Sequence, residues 1–423
     1  MHLFAGRTWA MAAALGLAAA AVRADEPARK DEPAPQDGPA VVAASAKDGF
    51  TIQSEDGAFK LRIGGYAQAD ARFYLGDESE DAVDTFVLRR VRPGLSGTLA
   101  RNFDFALVAD FGGGTATVQD AFLDSRFHPA FRVKVGKFKP PVGLERLGSA
   151  TALLFVERAL PTNLVPNREV GLQVHGELGG GTVAYQAGLF NGALDGSSND
   201  GDVNDAKDLE GRLFVQPFRN GASSALKGLG LGIAGTTGKE DGAVPVYRSA
   251  GLLTIFSYAT GVVADGTRTR LAPQGSYQAG PLRLLGEWTE VKQRLRNAQG
   301  ATLEARHRAW QAAAAFVLTG EAAVGYVVTP ARPFDPSHGG WGALEVAARY
   351  DGLDTDPDVF AGFAEATQSV RRARSWGVGL NWYLNRNVKY VVSYHHTTFE
   401  GGAAGGGDRP SENALQLRTQ VGF

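Results

Sequence analysis

The chain has 423 residues, with 43 Lys plus Arg against 45 Asp plus Glu, 55 Gly and no Cys. At 44% hydrophobic and 21% charged it is too apolar to be a disordered chain, and zero Cys excludes disulfides, thiolate catalysis and cysteine-ligated metal sites. Beyond the first two dozen residues no run of 18 apolar positions occurs, which excludes a helical membrane span but leaves a barrel open.

The N-terminus reads as an export signal. Arg7 supplies the positive charge, Trp9 to Val22 is an almost unbroken run of small apolar residues, and Val22-Arg23-Ala24 resembles a cleavage site. Cleavage there leaves 399 residues. Residues 25–48 are Asp, Glu, Pro, Ala, Gln and Lys with no hydrophobic period, and predict a flexible acidic leader. From Gly49 onward the body carries 38 positive and 39 negative residues, so charge-based function has to come from local arrangement. That balance gives no reason to expect nucleic acid as a partner.

From Phe59 to Phe73 the odd positions are apolar or small (Phe59, Leu61, Ile63, Gly65, Ala67, Ala69, Ala71, Phe73) and the even ones mostly polar (Lys60, Arg62, Gly64, Tyr66, Gln68, Asp70, Arg72). A strand sorts such a pattern onto two faces, whereas a helix scatters it. The same alternation predicts strands at 58–74, 85–100, 102–111, 117–127, 131–138, 168–178, 182–191, 207–218, 228–238, 268–279, 281–293, 304–319, 341–352, 372–384, 387–399 and 411–423. Sixteen is an even number, as a closed outer-membrane barrel expects. Short links alternate with long ones, notably 75–84, 139–167, 192–206, 239–267 and 400–410. The stretch 320–340 is long where a short link is due, and the apolar run 252–263 is either a further strand or part of a loop. Aromatics near strand ends (Tyr74, Phe127, Trp288, Trp310, Trp341, Trp376, Trp382) suit membrane girdles. The fold class is all-β: a 16-stranded antiparallel transmembrane β-barrel.

No motif for catalysis or metal survives inspection. The seven His are scattered, and His395-His396 face opposite ways on a strand. Gly235 to Lys239 lacks the spacing and context of a phosphate loop, and no G-x-S-x-G occurs. The chain is read as a non-enzyme with no cofactor, no catalytic residue and no metal. The informative cluster is basic: Arg132, Lys134, Lys137, Lys139, Arg146, Arg158 and Arg168 stand against Glu145, Glu157 and Glu169. Most of it lies in the 139–167 link, whose length is itself unusual for a compact fold and whose useful place in a barrel is the lumen. Arg62, Arg72, Arg90 and Arg92 fall on the predicted lumen face. Two readings stay open. These cations select anions, or they pair across the wall with Asp104, Asp110, Asp120 and Asp124, which share their parity, in a general weakly selective pore.

Short stretches in order along the chain resemble the phosphate-selective porins of the O and P type: Lys60-Leu61-Arg62-Ile63-Gly64-Gly65, Arg89-Arg90-Val91-Arg92, Val135 to Arg146 (VGKFKPPVGLER), Phe155-Val156-Glu157-Arg158, Ala348-Arg349-Tyr350 and Gly379-Leu380-Asn381-Trp382-Tyr383. Phe423 is similar to the terminal aromatic of outer-membrane barrels. The resemblance implies outer-membrane location in a Gram-negative bacterium, contact with outer-membrane lipid and a homotrimer. It further implies a third long loop folded into each pore, and passage of phosphate or related small anions. By position it implies constriction roles for Arg90 and Arg158, with Asp120 as the nearby acid. Tyr66 departs from the pattern, because phosphate-specific members carry Arg after the Gly pair. A phenol brings one hydrogen bond and no charge, which points to a weaker site or a different anion.

Overall fold

Alternation becomes pairing in the computed structural model, which describes residues 41–45, 49–76, 82–202, 204–222, 225–323 and 327–423. The first eight barrel strands are β1 (Lys60–Tyr74), β2 (Thr85–Leu99), β3 (Phe103–Asp110), β4 (Thr117–His128), β5 (Phe131–Phe138), β6 (Glu169–Leu178), β7 (Val183–Phe190) and β8 (Asp208–Val215). The second eight are β9 (Gly230–Gly242), β10 (Val263–Ala279), β11 (Leu282–Arg296), β12 (Thr302–Val317), β13 (Ala343–Asp354), β14 (Val370–Tyr383), β15 (Val388–Gly401) and β16 (Glu412–Gly422). Each pairs antiparallel with the next. β16 returns to β1, with Ala414 opposite Tyr74 through to Gly422 opposite Tyr66, and this closes the ring. Phe423 seals the seam: its N–H and C=O both bond the backbone of Gly65 at 3.0 Å.

All sixteen expected strands are present. β9 and β10 run past their expected ends at 238 and 268, pairing with each other without interruption, while β10 bulges against β11: Ala264 faces Leu295, but the next pair is Arg268 with Gln293. The bulge interrupts the period-two signal without ending the strand. The 252–263 run is not a seventeenth barrel strand. Thr254–Phe256 pairs only with Tyr247–Arg248, inside the link between β9 and β10. The expected leader 25–48 is not structureless throughout either. Val41–Ser45 forms a hairpin with Gly49–Gln53, which pairs in turn with Lys60–Ile63 where β1 projects beyond β16. Small and β-branched residues on an edge that was open for pairing account for it. The expected signal, residues 1–24, lies outside the described residues, as does 25–40.

The two faces of the wall invert the arrangement of a water-soluble protein. Phe86, Leu88, Leu107, Val135, Leu231, Val378 and Leu380 point outward and are exposed, whereas Asp70, Arg90, Glu287, Arg349, Asp351 and Arg418 point inward and are buried. The links 139–168, 243–262 and 355–369 share an apolar cluster with residues of β11 to β14. Leu160, Leu164, Ile255, Phe256, Leu295, Leu353, Val359 and Phe363 all belong to it. At the short-link end, the described residues 318–323 and 327–342 fold back on the wall. Phe334 meets the rings of Trp341 and Trp382 at 5.9 and 5.5 Å, and Trp382 Nε1 donates to the Trp341 carbonyl at 2.7 Å. This apolar seating explains why a link expected to be short can be long.

A lipid-facing outer surface has a measurable consequence. Leu380→Arg should lower stability by about 2–4 kcal/mol if it lies near the bilayer midplane, measured by denaturant titration in phospholipid vesicles. A loss below about 1 kcal/mol would place that face in water or at the interface.

Candidate functional site

The link between β5 and β6 leaves the wall at Lys139 and rejoins it at Arg168, yet its hydrogen bonds reach the opposite half of the ring. Leu144 N–H donates to Glu287 on β11 at 2.6 Å, and Leu160 N–H to Asp351 on β13 at 2.9 Å. Asn381 on β14 donates to the Leu154 carbonyl at 2.9 Å, Lys389 on β15 to that of Leu153 at 3.0 Å, and Gln68 on β1 to that of Ala150 at 3.1 Å. The Ser393 hydroxyl accepts from Val156 N–H at 3.1 Å. A segment with so little regular structure has many free backbone groups, and the inward polar side chains of the wall satisfy them. Phe155 adds an apolar anchor: its ring lies 4.5 Å from the Arg349 guanidinium and 5.4 Å from His395. Gly377 makes the room, since a Cβ there would sit 2.3 Å from His395 Nδ1. His396, facing the other way as expected, packs at a tilt on Trp376, ring centroids 5.7 Å apart.

Glu157 is the electrostatic anchor. Its carboxylate accepts from Arg89 Nε at 2.6 Å, Arg418 at 3.4 Å and Arg90 at 3.5 Å, with Arg72 at 3.7 Å. Arg418 also forms a two-pronged pair with Asp70, both contacts at 2.7 Å. Burial alone would raise the Glu157 carboxyl, but the Arg89, Arg90 and Arg418 guanidiniums hold it well below the usual range. Four guanidiniums against two carboxylates leave this wall patch with two positive charges in excess. Arg89 was missed by the period-two reading. A bulge pairs Gln68 with Arg90 and the next residue, Ala69, with Leu88, so Arg89 is the extra residue and both arginines reach Glu157. The sequence does carry the signal: outward apolar residues sit at even positions before it (Phe86, Leu88) and at odd positions after it (Val91, Leu95, Leu99).

The cations of the link itself are held differently. Lys139 Nζ donates to the carbonyls of Gly148 and Leu147 at 2.6 and 3.1 Å. Arg146 donates to the Thr162 carbonyl at 2.6 Å and to the Asn167 side chain at 3.5 Å. Arg158 donates to the carbonyls of Gly148 and Glu145 at 2.9 and 3.2 Å. Among the described residues none of the three has a carboxylate within 4.0 Å. The acids of the same link point elsewhere: Glu157 into the arginine socket, and Glu145 to Ala159 N–H at 2.9 Å and Gln311 at 3.2 Å. Neutral carbonyl oxygens fix the geometry of these cations without cancelling their charge. Burial, then the neighbouring Arg146, pushes Arg158 down to about 9, which leaves it cationic at neutral pH. Arg146 and Arg158 line a cavity of about 450 Å³ together with Arg89 and Arg90.

The remaining expected residues separate from this group. Arg92 pairs with Asp110 at 2.7 Å and donates to the Tyr66 hydroxyl at 2.9 Å, so Tyr66 belongs to that pair. Asp120 accepts from Arg168 at 3.2 and 3.3 Å. Arg62 stands near the start of β1, opposite Ser96. Across much of the wall, cations and carboxylates do neutralise one another, as in the Arg283–Glu345 pair and in Arg270 with Asp195 at 2.7 Å. No cluster of three or more His, Asp or Glu able to hold a metal ion occurs among the described residues.

Residues 61–423 match the family described as phosphate-selective porin O and P. Porin O of Pseudomonas aeruginosa is 24% identical over 385 residues, which is 84% of this chain and 86% of that protein. Among solved structures, the outer membrane channel DcaP of Acinetobacter baumannii superimposes with a TM-score of 0.56 at 11% identity, covering 88% of this chain and 99% of that one. The anion-selective porin from Comamonas acidovorans does so with 0.54 at 13%, covering 86% and 99%. At these identities the solved structures establish the barrel fold.

The Glu157 socket can be broken selectively. Removing one member of a buried ion cluster typically costs about 3–5 kcal/mol. Glu157→Gln should therefore leave the barrel folded while speeding proteolytic cleavage within 139–167 by at least about tenfold. Unchanged cleavage would mean that the apolar anchors and backbone bonds seat the link without the carboxylate.

Proposed function

This chain belongs to the phosphate-selective porin O and P family, and we propose that small anions pass its barrel by diffusion through a constriction built by residues 139–167. Outer-membrane location goes with that membership, and a pore rather than an enzyme is what the family does. In this reading the link is the third long loop, folded across the lumen. Its contacts with β1 and with β11 to β15 support that path, because they lie around the ring from its own ends on β5 and β6. The observation that carries the selectivity is the asymmetry within the link: its three cations rest on carbonyl and amide oxygens, and its two acids are turned into the wall.

The chemistry suits transit. Arg presents a planar fork that matches phosphate or carboxylate oxygens. Charges that are fixed by neutral acceptors do not have to break an ion pair when an anion arrives. Arg89 and Arg90 extend the positive surface from the wall, with Glu157 moderating its depth. The Tyr66 phenol, bound to Arg92, adds no charge, so a site specific for phosphate alone is less well supported than one for small anions in general. Export through a cleaved signal and assembly as a homotrimer are parts of the same proposal.

Reversal potentials across planar bilayers in a salt gradient test it. The wild-type pore should prefer chloride to potassium, and Arg158→Ala should reduce that preference at least about fivefold, since one unit charge at 4 Å is worth about 1–4 kcal/mol between bulk water and a partly screened site. Arg90→Ala should act less, because Arg90 already faces a carboxylate. Cation preference in the wild type would overturn the reading.

A further inference from the structure

The link has two unlike sides. One borders the cationic cavity containing Arg146 and Arg158. The other borders a second cavity, of about 370 Å³, whose lining includes Leu144, Leu147, Leu153, Leu154, Leu285 and Val327. Leu285 comes from the inner face of β11, opposite Ala313 on β12, where a water-filled pore would ordinarily present polar side chains. Val327 comes from the link between β12 and β13, so three separate elements converge to make this space apolar.

The two cavities are one hydrogen bond apart. Arg158 lines the cationic cavity, and its guanidinium donates to the carbonyls of Glu145 and Gly148, both of which line the apolar one. The positive charge of Arg158 therefore lies beside both cavities, and a negatively charged group drawn into the second one meets leucine side chains. A bare oxyanion gains little there, because the lining is mostly apolar and Arg283, its charged donor, is already paired with Glu345. An anion with a hydrocarbon body gains by moving that body out of water. Glu145, Arg283 and Gln311 also line this cavity but do not convert it into an anion ladder, because Arg283 is paired with Glu345 and Gln311 donates to Glu145 and Glu287. Glu287 accepts from Leu144 N–H and from Gln311, and is committed to seating the link.

We propose that the pore favours amphiphilic organic anions, small carboxylates carrying an apolar chain, over bare oxyanions of similar charge. The statement rests on the anion reading above and adds the substrate class. The carboxylate is steered by Arg146 and Arg158, and the chain slides along the leucine-lined cavity. Affinity is shared between a charge that attracts from either cavity and a hydrocarbon contact that scales with chain length.

The test uses the intact pore in planar bilayers, with acetate, butyrate and hexanoate as probes of the chloride current. Half-blocking concentration should fall about two- to fourfold for each added methylene, fourfold being the full burial limit. Equal half-blocking concentrations for acetate and hexanoate would overturn the proposal. Leu285→Asn and Leu154→Asn, on the wall and on the link, should each flatten the series while leaving the potassium chloride reversal potential unchanged. A slope intact in both variants would also overturn it. A wild-type reversal potential favouring potassium would instead defeat the anion reading, which separates the two failures.

Discussion

A backbone surrounded by hydrocarbon has no water to bond, so each strand must find a partner on both sides, and only a closed ring provides one. The return of β16 to β1 meets that requirement, and the Phe423–Gly65 bonds complete it at the seam. Everything else in the molecule follows from the closure. Because side chains alternate, a ring whose outside must be apolar collects its polar residues inside. The charged lumen is thus imposed by the wall before any selection for a permeant, and it explains why so many inward arginines are already paired with carboxylates.

Function then depends on which charges escape that pairing. The wall neutralises Arg283, Arg270, Arg92 and Arg418 with acids fixed on the wall itself or on the links that pack against it. The link between β5 and β6 reverses the rule: its acids serve as anchors, and its cations are set on carbonyl oxygens. Glu157 has two consequences at once. It fastens the link to β1, β2 and β16, and it offsets part of the arginine charge there. A pore needs binding favourable enough to enter and weak enough to leave, and the proposed constriction draws on that balance through a modest positive excess at the socket beside link cations held by carbonyl oxygens.

How much of this was legible in the sequence differs by scale. All sixteen strands could be read from period-two alternation, because burial in lipid makes one face uniformly apolar. The alternation also located Arg90 and Arg92 inside. It fails at bulges, where extra residues shift the phase: Arg89 is absent from the expected lumen face, and β10 loses its first five residues. The long basic link was recognisable by its length and composition. Its internal asymmetry was not, because Glu157 meets Arg418 across 261 positions of sequence and Leu144 meets Glu287 across 143. Whether a cation is neutralised depends on such encounters, which no local pattern encodes.

The Tyr66 departure gains a more definite meaning in this setting. The phenol accepts a bond from Arg92, whose other partner is Asp110, so the three form a chain with no net charge beyond the balanced ion pair. An arginine at position 66 would put a second guanidinium beside Asp110 and leave a net cation at the wall between Gly65 and Arg92. With tyrosine there, positive charge is concentrated on the link and at the Glu157 socket rather than extended along β1. In the proposed reading, attraction is concentrated at the link and the socket, with a mostly apolar cavity beside the link. That distribution suits an anion whose charge occupies one end of the molecule better than one whose charge covers its whole surface.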